Sequence, residues 1–560
     1  PAIHLSRFQV ADLFSDVTGK DQEAEIDRLV KVARKELREK FVQADMGITG
    51  ANYALADTGT IGIATNEGNA RLVTTLPRVH VALVGIDKLL PTLADALTVN
   101  RILPKNATGQ AITSYVTWIT GPSECTTTPS GKREMHIVFL DNGRKKIAAD
   151  PVFSQVLQCV RCGACANVCP VYRMVGGHQM GHIYIGAIGL ITTYFFHGLE
   201  NAKNLVQNCT NCGACKAVCA GGIDLPHLIK EIHARIQDEA GHPLQSLLLG
   251  KVLKSRKLFH SLLRTAHLAQ KPLLDKKEKP YLRHLPMIFS SDHNFRRLPA
   301  IADVPFRDRF EKLNKPMDNP RFTIALFSGC VQDFVYPEHL EAAMKGFAQH
   351  NIDVTFPLGQ SCCGLPAVSM GEKSAARDVA LQNLDAVDLD GVDYIVTLCA
   401  SCASHLTHGV PKLLKDYAPG KAAAFADKVI PYSVFMNDIV GIASEVSAGA
   451  DAGRKTAFHS PCHLCRGLGV HNTPHELIEK SGNRYVPTDE EETCCGFGGS
   501  FSTTFPAVSN EILTRKLDDV AESGADLLVT ECPGCVLQLR GGAAKQGRKF
   551  TVCHLSELLY

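Results

Sequence analysis

Net charge, long apolar runs and tryptophan are all scarce in this 560-residue chain. The 59 Lys and Arg nearly cancel the 57 Asp and Glu, leaving a formal charge of +2. No overall basic field therefore points to a nucleic-acid partner. The most apolar stretch, Ile183 to Phe196, is shorter than the roughly 20 residues that span a bilayer and is interrupted by glycines. No basic segment followed by an apolar core opens the sequence, so no secretory signal is read. No G-x-G-x-x-G fingerprint stands in a strand-to-helix context, which removes the usual signature of a bound dinucleotide. The expectation is a cytoplasmic chain, soluble or peripheral on the inner face of the cytoplasmic membrane. Its length exceeds one compact domain.

Cysteine is abundant: 21 residues, against a single Trp. Without export, many cysteines argue for metal ligation over disulfides. Their spacing is regular. Cys159, Cys162, Cys165 and Cys169 form a C-x2-C-x2-C-x3-C run followed by Pro170, and Cys209, Cys212, Cys215 and Cys219 repeat it. In this bacterial ferredoxin pattern three thiolates on a tight loop grip one cubane [4Fe–4S] cluster and the fourth reaches the other cluster. The expected sets are Cys159, Cys162, Cys165 with Cys219, and Cys209, Cys212, Cys215 with Cys169. The second run ends in Cys219-Ala220, without proline, which predicts a different chain exit and an intact ligand set. The 39 residues between Cys169 and Cys209 exceed a compact ferredoxin connection and resemble helical ferredoxin domains of multi-subunit oxidoreductases. Two clusters in series suit one-electron transfer.

The C-terminal part is an internal repeat. Cys330, Cys362 and Cys363, and Cys399 and Cys402 recur as Cys462, Cys494 and Cys495, and Cys532 and Cys535, at offsets of 132 or 133. Phe322 to Phe327 is a buried-strand candidate, Pro337 to Gln349 a helical stretch, and Asp393 to Leu398 an apolar run entering a C-x2-C pair. Thiolates at strand ends would converge at one edge of a small α/β unit. The pattern, with 31 residues between the first cysteine and Cys-Cys-Gly, resembles the CCG domain. That domain occurs in heterodisulfide reductase catalytic subunits, glycolate oxidase iron–sulfur subunits and LutA (LldE). The resemblance implies one or two further iron–sulfur clusters, of the non-cubane [4Fe–4S] kind in heterodisulfide reductase. A zinc site in each copy is the alternative, although adjacent cysteines suit a tetrahedral ion poorly. His459, His463 and Arg466 flank Cys462, and Cys465 adds a thiol; His463 and Arg466 are the candidate catalytic pair, able to bind a carboxylate, with solvated or core roles as the alternative. Cys125 and Cys553 fit neither pattern and are expected to be structural.

Near the amino end, Ile26, Leu29, Val30, Ala33, Leu37 and Phe41 predict an amphipathic helix. Glycines and threonines at 47–69 suit strands with tight turns. Pro1-Ala2-Ile3-His4, Thr58-Gly59-Thr60, Asn69-Ala70-Arg71, Thr74-Thr75-Leu76-Pro77, Ser114-Tyr115-Val116-Thr117 and Leu140-Asp141-Asn142-Gly143-Arg144 resemble the LUD domain. The order continues through Arg161-Cys162-Gly163-Ala164-Cys165 and Pro170-Val171-Tyr172-Arg173, as in LutB (LldF). The resemblance implies a partial NagB/RpiA/CoA-transferase-like domain that begins partway through the fold.

The expected architecture is multidomain α/β plus a helical ferredoxin. A partial LUD domain covers 1–150, a helical 2[4Fe–4S] ferredoxin domain 151–240, a basic connector 241–320, and CCG domains 321–440 and 441–560. The connector carries twelve Lys/Arg against three Asp/Glu between Lys251 and Arg297, with apolar residues interleaved. It could dock on an anionic membrane or an acidic partner, or be a solvated helix packed on its own protein. A LutB–LutA fusion implies an iron–sulfur subunit of an L-lactate dehydrogenase complex. Such a subunit would act beside a LutC-like LUD subunit and deliver lactate electrons to a quinone or another carrier. Lactate gives up two electrons and a cubane takes one, so an unusual cluster or a flavin on a partner must split the pair. The alternatives are a pure electron-transfer module and a heterodisulfide-reductase-like enzyme.

Overall fold

Several short apolar runs that end in Thr or Gly, at Gly50, Thr65, Gly85, Thr355, Thr397 and Thr530, become strands, and some helices between strands begin at identifiable caps. Ser6 and Gln9 form a capping box for the helix Arg7–Thr18, and Ser255 caps the helix Arg256–Gln270. Prolines open the helices Pro337–Gln349, Pro506–Glu522 and Pro533–Gln546, where a missing N–H costs nothing. In this computed structural model the described residues are 5–65, 67–113, 115–122, 132–274, 281–282, 293–442 and 453–560. They fall into two compact units. One comprises Pro1–Asn167, Gly176–Gly198 and Val218–Asp224; the other comprises Val168–Val175, Leu199–Ala217 and Leu225–Tyr560.

The first unit has two sheets. Strands β1 (Met46–Gly50), β4 (Val79–Gly85) and β7 (Glu134–Leu140) form a parallel sheet in the order β1-β4-β7. Strands β2 (Tyr53–Leu55), β3 (Ile61–Thr65), β5 (Leu89–Leu90) and β6 (Tyr115–Ile119) form a mixed sheet in the order β5-β2-β3-β6. Ala54 and Ile61 of this sheet pack with Ala82 and Val84 of β4 in one small buried cluster, and Tyr53, Leu55 and Ala96 form another. The predicted helix appears as Ile26–Gln43, but only Leu29 on its apolar face is buried, while Ile26, Val30 and Leu37 are exposed. Periodicity found the helix and its stripe; it carried no information on whether the stripe is covered. The most apolar stretch of the chain is the buried helix Gly186–His197, whose Thr192 and Thr193 hydroxyls donate to the carbonyls of Ile188 and Gly189. Among the described residues no helix is long and apolar enough to cross a membrane.

In the second unit the duplication becomes two identical parallel sheets. The first contains β8 (Phe322–Leu326), β9 (Ile352–Thr355), β10 (Tyr394–Thr397) and β11 (Val429–Pro431), ordered β11-β10-β8-β9. The second contains β12 (Lys455–Phe458), β13 (Arg484–Tyr485), β14 (Leu527–Thr530) and β15 (Thr551–His554), ordered β13-β12-β14-β15. In each the first strand lies between the second and the third, so the chain reverses direction across the sheet at the first and third strands. In open parallel sheets ligands gather outside the carboxyl ends at that reversal. Helix Pro337–Gln349 matches its predicted bounds, and the predicted strands lie at β8 and β10. Residues 551–560 return to the first copy: the Ser556 hydroxyl donates to the His339 carbonyl at 2.8 Å, and the His350 ring meets the Tyr560 hydroxyl at 3.0 Å.

The described part of the basic connector is partly committed within this unit. Leu253 is buried with Ala375, Ala376 and Val379 of the first copy, and Phe259 packs against the same cluster. Lys254 pairs with Asp378 at 2.5 Å and Arg264 with Asp308 at 2.7 Å. Leu258, Leu262 and Leu268 remain exposed. His260 accepts a hydrogen bond from Arg307 at 3.2 Å. Burial first, then the cations of Arg307, Arg256 and Arg264, push its pKa down to about 3, with Asp308 opposing. The folded chain thus excludes a proton that the unfolded chain binds below the ordinary value of 6.5, so this contribution to stability is complete above that value and is lost as pH falls towards about 3. His260→Gln is expected to flatten the pH dependence of the urea unfolding midpoint in this window.

Candidate metal centre

The two ferredoxin runs adopt the same backbone. Arg161 and Asn211, each two residues after the first cysteine of its run, have φ of 62° and 59°, and Gly163 and Gly213 have φ of 80° and 75°. Paired left-handed residues curl each loop so that its backbone turns around one point. Short helices Ala164–Asn167 and Ala214–Ala217 follow. The division of the chain separates the runs in a crossed manner. Cys159, Cys162, Cys165 and Cys219 lie in the first unit, whereas Cys169, Cys209, Cys212 and Cys215 lie in the second. Cys169 has Cys212 and Cys209 as charged neighbours; burial, then Cys212, pushes its pKa up to about 12. In the first unit Lys88 donates to the Cys159 carbonyl at 2.7 Å, and the buried Asp87 holds Arg144 at 2.5 Å.

The ten cysteines of the duplicated half converge in the second unit. They follow the carboxyl ends of β8, β10, β12 and β14 or occupy the Cys-Cys turns after β9 and β13, and all line one cavity of about 1030 Å³, solvent at its mouth included. Their sulfurs form a continuous series. Cys330 meets Cys362 at 4.0 Å, and Cys362 meets Cys363, which meets Cys402 and through it Cys399. Cys399 reaches across to Cys532 of the other copy, Cys532 meets Cys535, and Cys535 meets Cys495 at 3.6 Å. Cys494 and Cys462 complete the run. Three members, Cys363, Cys494 and Cys532, are held well below the ordinary thiol range because each accepts from two neighbouring thiols. Cys330 is pushed up, first by its bond to Cys362 and then by burial. Buried thiolates are costly unless a cation lies beside them. Soft thiolates in this number suit zinc, Cu(I) or iron–sulfur chemistry. The fit to a bulky centre shows at Gly329, whose φ is 64° and where a Cβ would lie 3.2 Å from the Cys402 sulfur.

The cavity is not built from the duplicated half alone. Thr210, Asn211 and Cys212 of the second ferredoxin run also line it. Burial raises the Cys212 pKa to about 12, and the next largest cause is the charge of Cys494. Of the two candidate catalytic residues, His463 lines this cavity and Arg466 does not. His463 accepts from Asn211 Nδ2 at 3.0 Å through Nε2, and its Nδ1 meets the Ser401 hydroxyl at 2.9 Å. Burial, then Lys230, lowers its pKa to about 4, so the ring is neutral near pH 7. Burial opposes the charge of Arg466, but Cys462, Cys465 and Cys212 outweigh it and raise its pKa. Arg466 also pairs with Glu492 at 3.6 Å. His459 is fully buried; burial lowers its pKa to about 3, with Lys516 adding to the shift.

Cys465 is buried beside Ser460 and does not line the cavity, and neither does Cys553 on β15. Cys125 lies outside the described residues, and the described cysteines form no disulfide. Asn211, Ser401 and Lys230 escaped the reading of the sequence. The first two occupy non-cysteine positions within the cysteine motifs, which was their one signal. Lys230 lies on the helix Leu225–Ala240, where nothing in the spacing places it near His463.

Family models place these features. A LUD domain matches residues 1–140, a 4Fe–4S dicluster domain 155–223, and a cysteine-rich CCG domain 324–407 and again 456–540. The chain therefore carries LUD, ferredoxin-like and CCG domains in a mixed α/β architecture. Among curated proteins it is similar to "Lactate utilization protein B" of Macrococcus caseolyticus, 37% identical over 313 residues, covering 55% of this chain and 65% of that protein. The protein of the same name from Bacillus licheniformis is 37% identical over 320 residues, covering 56% and 66%. The "Uncharacterized electron transport protein YkgF" of Escherichia coli is 41% identical over 241 residues, covering 43% and 50%. The chain spans about half to two thirds of the length of these relatives.

Gly329→Ala tests the crowding at the cavity. A left-handed non-glycine residue costs about 1–2 kcal/mol, and the added methyl group presses on Cys402. We expect iron in the duplicated half to fall while the ferredoxin-type signals persist, measured by iron analysis together with low-temperature EPR.

Proposed function

We propose that this chain is an iron–sulfur subunit of a complex that oxidises L-lactate to pyruvate and passes the electrons singly towards a quinone or another carrier. One observation carries the reading: Cys212 of a ferredoxin run lines the same cavity as all ten cysteines of the duplicated half. A one-electron relay and a many-thiolate centre thus share walls. The names of the relatives supply lactate. In this reading Cys159, Cys162, Cys165 and Cys219 hold one cubane, and Cys169, Cys209, Cys212 and Cys215 hold the second. Cys330, Cys362, Cys363, Cys399, Cys402, Cys462, Cys494, Cys495, Cys532 and Cys535 hold one or two further clusters. The domain limits are those given by the sequence, and the partner is a LutC-like LUD subunit in the cytoplasm, with a flavin on a partner as a further cofactor.

When bound, these clusters supply reversible one-electron storage. The protein's own groups do the rest. Lys230, whose charge reaches His463, His405 and Cys209, lines a second cavity of about 820 Å³ that also includes Asn211. An ammonium there suits the carboxylate of a small hydroxy acid. With Asn211 donating to Nε2, the proton of neutral His463 sits on Nδ1, facing Ser401. Both nitrogens are then engaged, so in this reading His463 orients groups around the cavity, Arg466 offsets the charge of the surrounding thiolates, and the base for the lactate hydroxyl belongs to a partner. The same engagement favours, as second reading, a subunit that only transfers electrons.

The test uses anaerobically purified chain with its full iron complement and L-lactate, with and without the LUD partner. Lactate is expected to reduce the ferredoxin-type clusters, seen by EPR, when the partner is present, and Cys212→Ser to slow that step. Absence of reduction in the assembled complex, or cluster reoxidation driven by a disulfide, would overturn the lactate assignment. Reduction by the chain alone would overturn the placement of the base on a partner.

A further inference from the structure

The duplication supplies an internal comparison. At the offset of 132, Phe327-Ser328-Gly329-Cys330 corresponds to His459-Ser460-Pro461-Cys462. The two leading residues occupy equivalent places. The Phe327 N–H donates to the Val396 carbonyl at 2.9 Å, and the His459 N–H donates to the Val529 carbonyl at 2.8 Å. Phe327 is 1% exposed and His459 not at all. In one copy the position holds a phenyl ring; in the other it holds an imidazole of similar breadth with two polar nitrogens.

A buried polar group is normally hydrogen-bonded. Neither nitrogen of His459 has a hydrogen-bond partner. Yet one of them and the sulfurs of Cys495 and Cys535 all lie within 4.8 Å of one another. Lys516, Cys494, Cys532 and the Glu491 backbone act on the ring electrostatically, Lys516 disfavouring its protonated form and the others favouring it. An imidazole nitrogen without a hydrogen-bond partner beside two thiols is the donor arrangement of a metal site, where nitrogen and sulfur ligands combine.

We propose that His459 is a nitrogen ligand to iron in the cluster of the second copy, alongside Cys495 and Cys535. The inference rests on the reading that the duplicated half holds iron. The bond forms by donation of a ring nitrogen lone pair; the other nitrogen keeps its proton and no electron changes hands. Phe327 gives the first copy no counterpart, so centres in the two copies differ in ligand set although their ten cysteines correspond one to one.

The chain, grown with 15N-labelled histidine and purified anaerobically with iron loaded, would be examined by electron–nuclear double resonance in its paramagnetic oxidation states. A strongly coupled histidine nitrogen is expected, changing with the label and disappearing in His459→Phe, which copies the first repeat, while the ferredoxin-type signals persist. Where His459→Phe fails to fold, the labelled unaltered protein and His459→Gln make the same comparison. Iron in the duplicated half without a coupled histidine nitrogen, or coupling that survives substitution of His459, overturns this inference alone. Absence of iron from that half overturns the proposed function with it.

Discussion

Between Cys330 and Cys462 ten sulfurs touch in an unbroken series, eight of them on buried residues, and the second unit is organised around keeping them together. Thiols this close cannot all ionise, and thiolates this deep are costly unless a cation shares their electrons. The sequence of bonds already shows that tension: three depressed thiolates alternate with thiols whose protons they attract. A metal centre relieves it by replacing those protons. The fold then supplies what a metal centre needs: short parallel strands with every cysteine beyond a carboxyl end, and hydrophobic layers that fix the strands.

The link between the copies follows from the same geometry. Cys399 and Cys532 stand in corresponding positions and meet each other, and the Ala400 N–H donates to the Glu531 carbonyl at 3.1 Å. His554 Nε2 donates to the Leu398 carbonyl at 2.8 Å. The duplicated half is therefore one site with two contributors, and Thr210, Asn211 and Cys212 give it a third wall. His463 ties all three contributors, since it bonds Ser401 of the first copy and Asn211 of the ferredoxin run while belonging to the second copy.

The cysteine framework was legible because metal ligation imposes spacing on the chain itself. The repeat offset fixed which residues correspond, and the two sheets have the same strand order. Strand ends entering cysteine pairs were visible for the same reason. The exposed stripe of the helix Ile26–Gln43 and the split fate of the connector were not legible, because periodicity describes a surface and not its partner. Lys230 and Asn211 show a second limit. They join the site through a crossing of distant segments, and no local pattern encodes such a meeting.

Residues 551–560 carry a consequence for synthesis. They supply the last strand of the second sheet and then bond to His339, His350 and Leu398 of the first copy. A ribosome finishes these residues more than a hundred positions after the last cysteine of the first copy. Until they emerge, that copy lacks the contacts they make to His339, His350 and Leu398. The order of translation therefore leaves an interval in which half a site is open, and assembly of the metal centre has to wait for, or be guarded through, the making of the final strand.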